Sequence, residues 1–296
     1  MSSLDHYRLP VIDLSRFEAG DPWRQQVAAQ VDRASCRFGS FQIVGHGVDG
    51  LLMETLAELN GKLFALGAQA GDEISFGSFS SRAYGTACGH PARWTAQNAY
   101  QLPGLREAVQ EYLTVVTGLG HKLMTLFARG LSLNDGYFVD RYTGNPDTLL
   151  RVVAHSPGSV AQRTAAARQG LPGKFLTLVM PDVSGGLDVW HRDRRVEVST
   201  IPGALVCQVG RELERLSGGR SPAARHGLHC TSERMQLSLV FSFEPGEAGE
   251  AHAAARPTEP LVEALPLAMM DEEEEALEFM PERLVAFRTS TQNERV

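Results

Sequence analysis

The fold can be read most directly from residues 181–220, PDVSGGLDVWHRDRRVEVSTIPGALVCQVGRELERLSGGR. Its short runs LDVW, RRVEVST and ALVCQV are rich in β-branched and aliphatic residues, and glycine, proline or charged turn residues separate them. Short runs of this kind between turn residues are typical of consecutive strands. The stretch therefore predicts a charged hairpin and a following strand of a sandwich or jelly roll, in which sheets close on each other.

Outside this stretch, similar runs continue the β-rich region, namely LLRVVAHSP (149–157), KFLTLVMPD (174–182) and MQLSLVFSFEP (235–245). The chain before residue 149 has a different pattern. Helical spacing of apolar residues predicts helices over Pro22–Phe38, Leu51–Ala68 and Leu105–Leu131, the last with Gly118 and Gly120 as weak points. A strand is predicted in GSFQIVGHGV (39–48), and an extended loop with short strands in 75–103.

These patterns predict a mixed α and β fold, with a double-stranded β-helix (jelly-roll) core, an N-terminal helical region and flanking helices. We divide the chain into an N-terminal helical and strand region (1–148), a jelly-roll core (149–245) in the same compact unit, and a C-terminal acidic segment and helix (246–296). The acidic run Asp271–Glu275 is typical of a helix start, because carboxylates stabilise the positive end of a helix dipole.

Composition excludes several classes of protein. The 296 residues have a net charge of -7, which is unfavourable for binding nucleic-acid phosphates, and contain no apolar run long enough to span a bilayer. The four cysteines lie far apart, so a disulfide framework is not expected. We therefore predict a cytoplasmic protein without a nucleic-acid or membrane partner, and nine histidines are its chemically suggestive residues.

Two strings near the N-terminus, LPVIDLSRF (9–17) and RASCRFGSFQIVGHGV (33–48), resemble the isopenicillin N synthase-like enzymes. These are non-haem Fe(II) and 2-oxoglutarate-dependent oxygenases. The 181–220 stretch is similar to the sheet of the same family, so the resemblance covers roughly residues 9 to 245. It implies an oxidoreductase of small-molecule biosynthesis, with Fe(II) and 2-oxoglutarate as cofactors.

In this family two histidines and one carboxylate hold the iron and leave positions open for 2-oxoglutarate and O2. Spacing from the GGR turn implies that His226 is the distal histidine, although an unoccupied core imidazole explains the same residue. The positions that correspond to the family's His-x-Asp pair are Gly170 and Pro172. Neither side chain can bind a metal.

A substitute pair, His191 and Asp193, follows the LDVW run, and with His226 it would complete a facial triad. Its position in WHRDRR instead corresponds to a solvent-facing hairpin, where charged residues are ordinary turn residues. His155 is a further residue that a rearranged metal centre could recruit.

The 2-oxoglutarate site also departs from the family. Alignment on FEP (243–245) places Ser238 at the family serine and Gln236 at the family arginine, which binds the far carboxylate. A neutral amide cannot replace a guanidinium in that contact. Arg234, two residues earlier, would lie on the same face of a strand and could contact a ligand bound differently.

Three hypotheses follow from these departures. The chain is an oxidoreductase with a rearranged iron centre, a metal-independent catalyst on the same fold, or a non-catalytic binding or scaffold protein with a protein partner. The first hypothesis is favoured, together with the expectation that ordinary 2-oxoglutarate turnover is weak or absent.

Overall fold

A computed structural model describes residues 8–65, 73–77, 99, 101–155, 175–191, 194–228, 235–247 and 249. The chain divides into two units, Met1–Ala264 and Leu265–Val296, and all the described residues belong to the first. The predicted C-terminal helix and its acidic run lie outside the described residues. The division at residues 148 and 245 stays a prediction.

The N-terminal region alternates strands and helices. Strand β1 (Val11–Asp13) and a 3-10 turn (Phe17–Ala19) precede helix α1 (Asp21–Phe38), strand β2 (Ser40–Val44) and helix α2 (Gly50–Ala65). Helix α1 ends at Gly39, whose φ of 61° is left-handed and whose N–H donates to the Ser35 carbonyl. A Cβ atom at Gly39 would lie 2.1 Å from the Pro222 carbonyl oxygen, so only glycine fits there. The predicted first helix and strand are confirmed.

Strand β3 (Glu73–Gly77) and the long helix α3 (Leu105–Gly130) complete this region. The helix continues through Gly118 and Gly120, which the sequence marks as weak points, and this destabilising role stays a prediction. A Cβ atom at Gly120 would lie 2.4 Å from the Phe243 ring, whereas one at Gly118 would meet nothing within 4 Å. Gly120 therefore allows the helix to approach the sheet closely.

The second half consists mainly of strands. After a π-helical turn (Val139–Thr143) come β4 (Asp147–His155), β5 (Leu176–Met180), β6 (Leu187–His191), β7 (Arg194–Glu197), β8 (Leu205–Val209), a short helix α4 (Arg211–Leu216), β9 (Arg225–Leu228) and β10 (Gln236–Glu244). The predicted strands are confirmed. Sequence patterns missed α4 and β9, since both are too short to show a clear period.

The strands form two sheets. The large sheet has the order β1-β2-β8-β5-β10-β4-β3 and is antiparallel except for the β1–β2 pair, and the small sheet has the order β7-β6-β9. This arrangement confirms the predicted mixed α and β fold with a jelly-roll core.

The large sheet has two different faces because side chains alternate along each strand. Its outer face packs against the helices through Leu178, Leu239, Phe241 and Phe243, which belong to one large apolar cluster. Its inner face meets the small sheet in a second cluster, which includes Val179, Val189, Val196, Val206 and Val240. Valines therefore make up most of this apolar contact between the sheets.

Among the described residues, no helix is both long enough and apolar enough to cross a membrane.

Candidate functional site

The candidate site lies on the inner faces of the two sheets, where strands β4, β9 and β10 carry polar side chains. Alternate residues of a strand face the same side of the sheet. On β10, Gln236 and Ser238 therefore face inward together with Val240. On β9 the inward residue is His226, because it lies directly opposite Val189 of the inner cluster. Burial of a polar group without a partner is unfavourable, so polar side chains in this apolar layer indicate a candidate binding site.

His226 is buried, with 9 % of its surface exposed. Its Nδ1 atom has no hydrogen-bond partner among the described residues. Burial and the positive charge of Arg151 lower the pKa of His226 to about 4, against a smaller opposing effect of a backbone hydrogen bond with Ala224. At neutral pH the imidazole is therefore uncharged, which is the form that binds a metal ion.

Arg151 lies on β4, the strand beside β10, and is paired with Val240 on one side and with Ser75 of β3 on the other. Its side chain shares the inner face with Val153, which packs against the inner cluster. The Nε atom is buried and has no hydrogen-bond partner among the described residues. By register, the side chains of Arg151 and His226 lie on the inner faces of the large and the small sheet respectively.

Gln236 and Ser238 are each 2 % exposed and lie near the start of β10, opposite His155 and Val153 of β4. The Asp182 side chain fixes this end of the strand, because Leu237 N–H donates to its Oδ2 at 3.2 Å. Both residues therefore lie in the interior, beside the space that the family resemblance assigns to 2-oxoglutarate. Neither side chain is charged, so Gln236 supplies no positive charge at the position that the resemblance assigns to the family arginine.

His191 is the last residue of β6 and shares the inward face with Leu187 and Val189. It is half-buried, and its ring centroid lies 4.8 Å from that of Phe38. The expectation of a solvent-facing residue is therefore wrong for His191, because the strand extends as far as this position before the chain turns. The expectation fits the exposed Arg194 and Arg195 at the start of β7.

His191 and His226 occupy the same face of the small sheet on neighbouring strands. Since His226 is opposite Val189, His191 lies one strand period further along, a diagonal separation of about 7–8 Å. Asp193, the proposed third ligand, is outside the described residues, as are Arg234 and the positions of Gly170 and Pro172. The side chain of His155 is outside them too.

A three-ligand iron site is not formed by the part of the chain that the structure describes. Within it, no group of three or more histidine, cysteine, aspartate or glutamate side chains could hold a metal ion. His226 supplies a neutral, buried imidazole with a nitrogen that no described residue contacts by a hydrogen bond. The described residues therefore fit one ligand of the family's iron and not the complete set.

An open surface pocket of about 400 Å³ lies elsewhere, at the far end of β10 from Gln236. Its lining includes Asp140, Arg141, Asp147 and Glu247. Because Asp147 pairs with Glu244 at the last position of β10, this pocket is separated from the predicted site residues by the length of the strand.

Sequence reasoning missed Arg151. A signal was present, because Arg151 alternates with Val153 and His155 in LLRVVAH and so belongs to one face of a strand. The pattern could not tell which face pointed inward. Only the pairing with Val240 assigns that face to the space between the sheets.

Comparison with protein families gives two matches. Residues 9–93 match the model described as the non-haem dioxygenase in morphine synthesis N-terminal region. Residues 162–245 match the model of the 2OG-Fe(II) oxygenase superfamily. The two models cover the helical region and the jelly-roll strands in the order that the sequence predicts.

Relatives and solved structures agree with these matches. The chain is 24 % identical over 305 residues to a 1-aminocyclopropane-1-carboxylate oxidase of Dictyostelium mucoroides, covering 82 % of this chain and 83 % of the relative. It is 25 % identical to flavanone 3-dioxygenase 2 of rice (Oryza sativa subsp. japonica), covering 84 % of this chain and 77 % of the relative. The 2-oxoglutarate complex of the Arabidopsis thaliana dioxygenase for auxin oxidation superposes with a TM-score of 0.62 at 19 % identity, covering 86 % of this chain and 98 % of that one.

Proposed function

Because this chain belongs to the 2OG-Fe(II) oxygenase superfamily, we propose that it acts on a small molecule in a biosynthetic pathway through an iron and 2-oxoglutarate site that departs from the family pattern. Ordinary 2-oxoglutarate turnover is then weak or absent. The oxidoreductase assignment follows from family membership, and the departure is specific to this sequence.

The single observation that carries the proposal is the buried Gln236 at the start of β10. By alignment it occupies the arginine position that binds the far carboxylate of 2-oxoglutarate in the family. An amide is neutral and offers no bidentate charged contact to a carboxylate. Gly170 and Pro172, at the positions of two iron ligands, add independent support from the sequence.

His226 is the residue of the proposed centre whose surroundings are known best. Its neutral imidazole suits a metal ligand, and a bound ferrous ion would supply oxygen activation. The remaining ligands would come from a rearranged set, for which His191 and Asp193 are the candidates. In the structure His191 lies on the same face of the small sheet as His226, but its ring also packs against Phe38.

Metal analysis and a 2-oxoglutarate assay test this proposal. Purified protein is loaded anaerobically with Fe(II), desalted, and assayed for iron per chain and for succinate formed from 2-oxoglutarate and O2. We expect succinate formation far below that of a family enzyme measured in parallel. One iron per chain with succinate formation at the rate of that enzyme would overturn the proposal.

The variant His226→Ala separates a rearranged centre from adventitious binding. His121→Ala is the matched control, because His121 lies on the other side of β10, against the Phe243 ring. Iron that is bound by the wild type and by His121→Ala, but lost in His226→Ala, identifies a centre built around His226. Iron retained by His226→Ala would show that this residue is not a ligand.

A second candidate function is small-molecule binding without oxygen chemistry. The observation that favours it is the absence, among the described residues, of a three-ligand metal group, next to interior polar atoms that have no partner there. Such a protein would bind no iron in the same assay and would still bind its ligand in the presence of EDTA.

A further inference from the structure

The first residues of β10 pair with a neighbouring strand on one side only. On the side of β4 the pairing begins at Gln236, which lies opposite His155. On the side of β5 it begins three residues later, at Leu239, which lies opposite Met180. The part of the strand that carries the buried polar residues of the candidate site therefore lies beyond the end of β5.

A proline and a turn end the pairing on the β5 side. Continued in the same register, the pairing would place Pro181 opposite Ser238 and Asp182 opposite Leu237. Proline has no N–H to donate to a neighbouring strand. The Asp182 carbonyl oxygen instead accepts the Gly185 N–H at 2.9 Å within the turn. The N–H of Leu237 therefore needs another acceptor, as backbone N–H groups in a folded protein generally do.

The side chain of Asp182 supplies this acceptor. Its Oδ2 atom accepts the Leu237 N–H at 3.2 Å. Its Oδ1 atom accepts two hydrogen bonds from Ser184, from the N–H at 2.9 Å and from the hydroxyl at 2.5 Å. The turn thus orients the carboxylate, and hydrogen bonds to an ionised group are about twice as strong as neutral ones. Asp182 joins the β5–β6 turn to a strand 55 residues further along the chain.

Leu237 lies between the two polar residues of β10 that face the interior. Gln236 and Ser238 are each 2 % exposed, whereas the Leu237 side chain packs against the apolar cluster on the helix side of the sheet. Because the three residues are consecutive, a displacement of the Leu237 backbone moves both polar side chains. Displacements of about 1 Å are enough to weaken the function of a positioned group.

We infer that Asp182 is a positioning residue, which holds Gln236 and Ser238 in place for ligand binding without contacting the ligand itself. This inference rests on the proposed function, because it takes these two residues as part of the ligand site. Asp182 acts through Leu237, by substituting a side-chain acceptor for the backbone acceptor that β5 no longer provides.

Hydrogen exchange of the Leu237 amide, followed by NMR, tests the contact itself. Asp182→Ala removes the acceptor and should accelerate this exchange by at least about tenfold, the effect expected when one hydrogen bond to a charged group is lost. Amides in the middle of β10, such as that of Phe241, should exchange as in the wild type. Unchanged exchange at Leu237 would overturn the inference.

Calorimetric titration of the iron-free, full-length protein with 2-oxoglutarate tests the positioning role. We expect the wild type to bind and Asp182→Ala to weaken the Kd by at least about fivefold, the lower end of the usual coupling between two sites. Circular dichroism at the titration temperature establishes that the variant is fully folded. A purely structural role of Asp182 would leave the Kd of the folded variant unchanged and would overturn the inference.

Ser184→Ala is the matched control, because it removes one hydrogen bond to the same carboxylate and leaves the acceptor of Leu237 in place. Its Kd should stay close to that of the wild type, and a loss equal to that of Asp182→Ala would contradict the inference. Should Asp182→Ala fail to fold, the wild type provides the test. Coupling is reciprocal, so saturating 2-oxoglutarate should then slow exchange at Leu237 by at least about fivefold. Unchanged exchange would overturn the inference.

Failure of this inference is distinguishable from failure of the proposed function. Absence of 2-oxoglutarate binding to the wild type at millimolar concentration would overturn the positioning role and would agree with weak turnover. Rapid succinate formation that falls in Asp182→Ala would overturn the weak-turnover proposal and support the positioning role.

Discussion

The two faces of the large sheet differ in the polarity of the side chains that they bury. On β10, the outward residues Leu239, Phe241 and Phe243 are buried against the helices. The inward residues of the same strand include Gln236, Ser238 and Ser242, which are polar and also buried. The odd-numbered residues of this strand therefore pack in the apolar core against the helices, whereas its inner face carries these polar residues beside the apolar Val240. The buried polar side chains of the inner face lie at the candidate site, whereas those of the outer face serve packing.

The largest expected effect is on the outer face. Phe243 is fully buried, so Phe243→Ala should lower the free energy of unfolding by about 3–5 kcal/mol, through lost burial and the cavity left behind. Urea unfolding followed by circular dichroism measures this. Val183→Ala is the control, since Val183 is 88 % exposed and should change stability by less than about 0.5 kcal/mol. Similar results for the two variants would contradict the role of the outer face.

The contact between helix α3 and β10 gives the next largest effect. Gly120→Ala places a methyl group against the Phe243 ring and should destabilise by about 1–3 kcal/mol. Gly118→Ala meets open space on the same helix and should stabilise by about 0.5–1 kcal/mol, because alanine is the better helix former. Thermal unfolding of both variants tests the pair. A stabilising Gly120→Ala would mean that the ring moves away at little cost.

A smaller effect is expected from Gln208, which lies on the inner face of β8. The residue is fully buried, and both amide atoms are unpartnered among the described residues. Gln208→Leu removes these groups and should stabilise by about 1 kcal/mol. Ser40→Ala, on the neighbouring strand, should destabilise by a similar amount, since the Ser40 hydroxyl donates to the Cys207 carbonyl at 3.0 Å. If Gln208→Leu instead destabilises the protein, the amide has partners that the described residues do not include.

The smallest expected effect is the contribution of His121, at the outer face, to the pH dependence of stability. His121 packs edge-on against Phe243, and burial lowers its pKa below the usual 6.5. The unfolded chain therefore takes up a proton at higher pH than the folded chain, so stability should fall as pH decreases below about 6.5. His121→Leu should reduce this slope in urea unfolding between pH 7.5 and 5.

Much of the slope should persist, because burial also lowers the pKa of His226, to about 4, and that of His46. His46 accepts a hydrogen bond from Val48 N–H at Nδ1, and its Nε2 lies 2.7 Å from the Gly203 carbonyl oxygen. An unchanged slope in His121→Leu would show that His121 is not desolvated in the folded protein.

Much of the fold was predictable because it depends on local patterns. Helices α1, α2 and α3 and most strands follow from periodicity and from the glycines and prolines that end them. Two features were not predictable in this way. Gly120 looks like a helix breaker in isolation, and only the adjacent Phe243 ring explains it. His191 belongs to a charged string, yet the length of β6 places it beside Phe38.

The residues of the candidate site were likewise only partly predictable from the sequence. His226, Ser238 and Gln236 were identified by spacing from recognisable strings, and their burial on inward-facing strand positions fits that identification. Arg151 was missed because no motif marks it. Only its pairing with Val240 shows that it lies on the inner face of the sheet.

Residue identity and the local strings were sufficient for the family resemblance and for the order of helices and strands, whereas the departures from the family at Gly170, Pro172 and Gln236 stay predictions. The packing of the two sheets was needed to assign which face of each strand points inward. From that assignment it follows that Arg151 and His226, 75 residues apart in the chain, lie on the inner faces of the two sheets. The physical reason is strand pairing, because a strand pattern has two equivalent faces until a partner sheet buries one of them.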